Sequence, residues 1–245
     1  MKIFLKLACF VIFLFWQSEL FGRDLPVFPS QKNIKWREYK VKRGDTFWKL
    51  FKSDWLIVSR FNRIDERHLK IDTMIKVPKD LKSAKNYEPL PFFTEERKNV
   101  EKFILVDLKE QWIGLYEYGN LIFSTFISSG KSECEDPKNG KIRSCETPKG
   151  MFKTLAIHRD HISNRYRDAD GNGIPMSFAV MFHYAAGVSY WFHDGDLPGY
   201  LDSHGCIRLK EEDAKKLCKW VYEKCLKTKD QIWLEKRKKI TIIIK

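Results

Sequence analysis

Two pieces of this chain, His193 and Cys206, are thirteen positions apart and must meet in space for the sequence around them to make chemical sense. Ser203-His204-Gly205-Cys206-Ile207-Arg208-Leu209-Lys210 sets a thiol beside a glycine in a polar turn, and His193 ends an apolar run over 188–192. A cysteine nucleophile needs a base to take its proton and backbone N–H groups to hold the oxyanion that follows. A strand–loop–strand excursion closes that distance, so residues 188–210 are expected to fold as strand, loop and strand. In that arrangement Cys206 is the nucleophile and His193 the base. The N–H groups of His204, Gly205 and Cys206 line the oxyanion site. His183 competes with His193 for the base and falls second on strand placement, as a cleft or packing residue. Asp194 is placed to orient the imidazole through a side-chain or backbone acceptor.

The length of 245 residues leaves room for one large domain or two modest ones, and 43% hydrophobic residues can fill a core. The net charge is +13, and residues 215–245 carry eleven Lys/Arg against three Asp/Glu. Such a surface attracts an anionic wall polymer, lipid headgroups or nucleic acid, but the chain has no zinc-finger, RRM or helix-turn-helix pattern, so nucleic acid is not expected. A solvated charged face is the plainer reading.

At the N-terminus, Lys2 and Lys6 precede an apolar run of ten residues over 7–16. It suits the core of an export signal and is short for a spanning helix. The cleavage site is poor, so residues 1–22 read as a signal peptide or an uncleaved membrane anchor, followed by a linker over 23–36. In an exported protein, Cys134 and Cys145, which bracket a polar Pro137-Lys138-Asn139-Gly140 turn, suggest a disulfide. Closing that loop contributes on the order of 3 kcal/mol. A free pair or a metal loop is the alternative. Cys218 and Cys225 fall within a helical pattern over 210–226, two turns apart, too far for a bridge within one helix. Cys206 is then the thiol with a reason to stay free.

Residues 37–80 read as a small unit of strand, helix, helix and strand. Asp45 or Thr46 caps the first helix, Trp55, Ile57, Val58 and Phe61 mark the second, and Met74–Pro78 closes. Tyr39-Lys40-Val41-Lys42-Arg43-Gly44-Asp45-Thr46-Phe47-Trp48, Phe61-Asn62 and Ile75-Lys76-Val77-Pro78 resemble a LysM module. The resemblance implies binding of N-acetylglucosamine-containing glycan, with Gly44, Asp45, Thr46, Asn62, Arg63 and Ile64 as the contact positions. The usual glycine before the last strand is Asp72. A small interaction domain without glycan affinity is the other reading. Residues 81–99 are a charged linker in which Pro89 and Pro91 favour extended backbone.

Residues 100–245 are strand-rich, then carry the late helix and a closing strand over 240–244. The Ser-His-Gly-Cys-x-Arg segment with its upstream histidine resembles the signature of the L,D-transpeptidase (YkuD-type) catalytic domain. Phe103–Asp107 with Gln111–Tyr116, the Ser128-Ser129-Gly130-Lys131 and Thr147-Pro148-Lys149-Gly150 turns, and Pro175–Phe182 extend the likeness. It implies a mostly β catalytic domain, a YkuD-like β-sandwich with a late helix, beside the small α+β LysM-like domain. It also implies that Arg208 positions the thioester or a substrate carboxylate, with Ser203, Asp194 and His183 at the substrate. The implied reaction is attack on the peptidoglycan stem tetrapeptide with loss of D-alanine and transfer to an amine. That amine belongs to a neighbouring stem or a lipoprotein lysine. Water as acceptor makes the same site an L,D-carboxypeptidase, and a degenerate wall-binding scaffold is the reading from another class. No cofactor and no metal are expected. The Asp168–Gly173 run has Ala179 where a calcium loop requires a bidentate Glu. The implied compartment is the periplasm or cell envelope.

Overall fold

The structure, a computed structural model, describes residues 34–245. The expected signal or anchor over 1–22, and most of the 23–36 linker, lie outside the described residues. Among the described residues, no helix is long and apolar enough to cross a membrane.

The N-terminal unit runs β1 (Trp36–Lys40), α1 (Phe47–Phe51), α2 (Trp55–Asn62) and β2 (Met74–Pro78), with β1 and β2 antiparallel. Of the two candidate caps for α1 it is Thr46, in extended conformation, whose side chain accepts the Lys49 N–H at 3.1 Å. Asp45 instead accepts the Tyr39 hydroxyl and the Lys42 N–H, both at 2.8 Å. Val41, Phe47, Val58, Ile64, Ile75 and Val77 form its core. Asp72, where a glycine is usual, adopts the left-handed conformation a glycine would (φ 66°) and pairs with Lys40 at 2.9 Å.

The stretch expected to be an extended linker behaves otherwise. It carries α3 (Leu81–Lys85) and buries Ala84, Tyr87 and Leu90. Its apolar side chains meet the outer face of a sheet, and their burial overrides the local preference of two prolines for open chain.

That sheet has the order β5–β4–β3–β14–β8, built from β3 (Lys102–Asp107), β4 (Trp112–Glu117), β5 (Asn120–Phe126), β8 (Gly150–Lys153) and β14 (Thr241–Ile244). The short hairpin of β6 (Glu133–Glu135) and β7 (Ile142–Ser144) lies apart from it. The second sheet is β12–β11–β10–β9–β13, comprising β9 (Ala156–Arg167), β10 (Gly173–Ala185), β11 (Val188–Asp194), β12 (Ile207–Leu209) and β13 (Ile232–Trp233). Ile104, Val106, Ile113, Leu115, Ile242 and Ile244 from the first sheet meet Ile157, Val180, Phe182, Phe192, Ile207 and Leu209 from the second. α4 (Glu211–Val221) adds Ala214, Leu217, Cys218 and Val221 to this core.

Alternation along β3 and β4 sends Phe103, Leu105, Trp112 and Tyr116 to the opposite face. There they pack with Phe61, Ala84, Tyr87, Leu90 and Leu197. The first sheet is thus covered on both faces, which is why β3 and β4 read as near-continuous apolar runs. One cluster joins the N-terminal unit, residues 84–90 and the two-sheet part of the chain.

The late helix ends earlier than the pattern over 210–226 implies. Tyr222 leaves helical geometry (φ −146°, ψ 111°), and Cys225 opens a separate short turn. The chain folds back, bringing Cys218 and Cys225 to a Cα separation of 5.9 Å in a disulfide. The expectation that they cannot bridge is corrected, because it assumed one continuous helix. Cys134 and Cys145 are also joined, across the β6–β7 hairpin, with Cα atoms 5.8 Å apart. Cys206 is the free cysteine among the described residues.

Candidate active site

The parallel pairing of β11 with β12 sets Phe192 opposite Ile207 and His193 opposite Arg208. Phe192, Ile207 and Leu209 point into the sandwich core. Alternation therefore puts Trp191, His193, Cys206 and Arg208 on the outer face of the second sheet. A cleft of about 820 Å³ opens there, lined by all four of these side chains with His161, Tyr166, Met176 and His204 among others. Its size is ordinary for a ligand site.

The turn before Cys206 is built on backbone constraints. Gly205 has φ +116°, and a Cβ on it would lie 2.7 Å from the Tyr190 ring. Only glycine fits both the angle and the space. Ser203 Oγ accepts the Gly205 N–H at 3.1 Å and donates to the Cys206 carbonyl at 2.5 Å. The Gly205 N–H is therefore committed to the turn, which corrects its expected place in the oxyanion site. Thr147 Oγ1 accepts the Gly130 N–H and donates to the Gly205 carbonyl, each at 2.9 Å. Gly130 is itself crowded: a Cβ there would fall 1.9 Å from the Cys145 carbonyl oxygen.

His193 is buried, and its Nδ1 lies 2.5 Å from the Asp194 carbonyl oxygen. A carbonyl only accepts, so Nδ1 carries the proton and Nε2 is the basic nitrogen, the tautomer a general base requires. The Asp194 carboxylate does not orient the ring; its Oδ1 accepts the Ser177 N–H. Among the described residues, no hydrogen bond joins His193 to Cys206, whose Sγ has the Ser189 carbonyl oxygen at 4.0 Å. The two line one cleft without a hydrogen bond between them, and such bonds are often long before substrate binds.

Burial pushes the Cys206 thiol up to about 11, with the Trp191 backbone, Arg208 and Arg143 opposing. Burial likewise pushes His193 down to about 3. Both shifts favour the neutral thiol and the neutral imidazole at neutral pH. Burial, then Lys131, Arg208 and Arg143, hold His204 down at about 4. His204 stacks on Tyr166 at 4.3 Å, and its carbonyl accepts from Arg143 at 3.4 Å. It forms part of the cleft wall.

Other expected positions separate. Arg208 lines the cleft while bonded to Asp202 at 2.6 Å. His183 is packed between the rings of Phe152 and Tyr190 and does not line the cleft, so its expected place at the substrate is corrected. Asp168 turns its carboxylate onto the N–H groups of Asp170 and Asn172, forming a closed polar turn. Of the expected glycan positions, Gly44 and Thr46 are exposed and Asp45 half-buried, but Asn62, Arg63 and Ile64 are buried. Asn62 holds the Val58 and Lys76 backbone. Arg63 bonds Glu110 at 3.0 Å and also Tyr87. Ile64 bridges Pro198. Arg63 and Ile64 thus meet the two-sheet part of the chain, while Asn62 is used within the N-terminal unit, so the three are corrected from glycan contacts to buried structural residues.

Sequence reasoning missed Ser177, Arg143 and Tyr166. All act through backbone atoms or stacking, which leave no motif. Thr147 was visible only as part of a turn. Among the described residues, no group of three or more His, Cys, Asp or Glu is arranged to hold a metal ion.

The chain belongs to the YkuD family, the L,D-transpeptidase catalytic domain, whose family model matches residues 101–240. No curated protein matches it. Among solved structures, an L,D-transpeptidase from Xylanimonas cellulosilytica is 17% identical, with 84% of this chain and 97% of that one covered and a TM-score of 0.49. The L,D-transpeptidase of Mycobacterium smegmatis is 18% identical, covering 59% of this chain and 58% of that one, at a TM-score of 0.39. A mutant of the Enterococcus faecium L,D-transpeptidase is 22% identical, covering 59% and 50%, at 0.38. The chain thus spans little more than half the length of the latter two.

Proposed function

We propose that the protein is a cysteine-dependent peptidoglycan L,D-transpeptidase of the cell envelope. The observation that carries this reading is a free cysteine on a glycine-constrained turn, sharing one cleft with a histidine whose Nδ1 is tied to a carbonyl. Cys206 Sγ attacks the carbonyl carbon of the third, diamino residue of a stem tetrapeptide. Its proton passes to His193 Nε2 as the sulfur–carbon bond forms, because both groups rest neutral. The N–H groups of His204 and Cys206 hold the oxyanion. The proton then goes to the departing D-alanine amine and a thioester remains. An acceptor amine, from a neighbouring stem or a lipoprotein lysine, displaces the sulfur, and the thiol recovers its proton through His193.

The exposed Gly44–Thr46 loop is the part of the LysM-like unit that contacts glycan. Incubation with defined stem tetrapeptide is expected to give a covalent mass adduct on the intact protein and none on Cys206→Ala. An adduct persisting on the variant would overturn the reading. Adding an amine acceptor diverts product to the amine adduct for a transferase; free tripeptide alone would mark a carboxypeptidase.

A further inference from the structure

The cleft is not made by the catalytic domain alone. Residues 62–68 of the N-terminal unit lie against the loop between His193 and Cys206. The Asp65 N–H donates to the Leu197 carbonyl at 3.0 Å, and the Leu197 N–H returns to Asp65 Oδ2 at 3.4 Å. His68 Nε2 lies 3.4 Å from Asp196, and Lys210 bonds Glu66 at 2.6 Å. A Cβ on Gly199 would fall 2.4 Å from Ile64, so the loop and the unit are in direct contact. This docking delivers Arg67 to the cleft wall beside Asp194, Gly195 and Asp196.

Three arginines line the cleft, and they differ in how much of the guanidinium is open. Arg165 and Arg208 are 14% and 18% exposed, each paired with a carboxylate. Arg67 is 63% exposed, and its single side-chain bond among the described residues runs from Nη2 to Asp65 at 3.1 Å. Asp65 is buried and its capacity is already used: Oδ1 accepts the Arg67 N–H and meets His68 Nδ1, and Oδ2 takes Arg67 and Leu197. The other acids nearby have partners of their own. Glu66 has Lys210, Asp196 has His68, and Asp194 has the Ser177 N–H. Arg67 is therefore aimed by a buried anchor and keeps most of its fork of donors open. A planar guanidinium with an open face suits a carboxylate.

We propose that Arg67, supplied by the N-terminal unit, binds a carboxylate of the acyl-donor peptide in the cleft. This rests on the proposed transpeptidase reading for the identity of the donor, a peptide that carries free carboxylates near the scissile bond. The N-terminal unit then contributes to peptide selection as well as standing beside the catalytic domain.

The test is binding, read by calorimetry on the full chain carrying Cys206→Ala so that no turnover intervenes. The probes are the stem tetrapeptide with free carboxylates and the same peptide amidated at each carboxylate in turn. Adding Arg67→Ala is expected to weaken the free-acid peptide about tenfold, the loss of a hydrogen bond to a charged group. One amidated peptide is expected to bind both proteins equally, and Arg67→Lys to restore part of the loss. Unchanged affinity for the free acid, equal weakening for every peptide, or no binding of the free acid by the Cys206→Ala protein would each overturn the proposal. Adduct formation on the unmodified chain tests the transpeptidase reading separately. A chain that forms the adduct, yet binds the free acid equally with and without Arg67, loses only this inference.

Discussion

His193 is a neutral ring held in a dry place, and that has a cost in acid. Its folded-state value of about 3 lies below the ordinary value of 6.5, so between those limits the unfolded chain takes up a proton that the folded chain refuses. Stability from this residue is intact above the upper limit and falls as pH drops toward the lower one. Going from pH 7 to pH 5 costs about 2 kcal/mol from His193 alone. His161 and His204, both held near 4 mainly by burial, push in the same direction. Urea midpoints measured across that range are expected to fall, and His193→Asn to flatten part of the slope. An unchanged slope in the variant would refute the buried neutral ring. Catalysis shows the other side of the same shift: the imidazole stays a free base in mild acid, so the acid limb of acylation is expected well below pH 6.

The β6–β7 hairpin is the element whose role was hardest to read. Its disulfide was visible from two cysteines around a turn, but its position over the Ser203–Cys206 turn was not. Arg143 on β7 reaches Tyr166 and the His204 carbonyl, and the Cys145 carbonyl lies against Gly130. Replacing Cys134 and Cys145 by Ser is expected to cost about 3 kcal/mol in unfolding and to slow acylation. The same change at Cys218 and Cys225 should lower stability similarly and leave acylation alone, because that bridge sits in the sandwich core. Equal acylation losses would show that the hairpin has no special hold on the turn. The strands around the nucleophile were legible because burial on alternate faces leaves a periodic trace, and so was the Ser203–Arg208 turn. The end of α4 was not, since Tyr222 continues the apolar pattern that the backbone abandons. Asn62, Arg63 and Ile64 misled for a related reason: residues at a helix end carry no mark of the surface they will meet.

At the scale of the molecule, the seam between the two parts is a core rather than a hinge. Leu197, between His193 and Cys206, is fully buried with Phe61, Tyr87 and Trp112. Arg63 threads the seam, its guanidinium 4.9 Å from the Tyr87 ring and 4.8 Å from Trp112, and bonds Glu110 beyond. Arg63→Met removes the buried ion pair with Glu110 and is expected to cost about 3–5 kcal/mol. It should shift one cooperative unfolding transition, with near- and far-ultraviolet circular dichroism coincident. Two separated transitions in the unmodified chain would show that the parts fold independently.

A seam of this kind turns the molecule into a calliper. Its two jaws are the exposed Gly44–Thr46 loop and the Cys206 sulfur, held a set distance apart by packed side chains, unlike two units swinging on a tether.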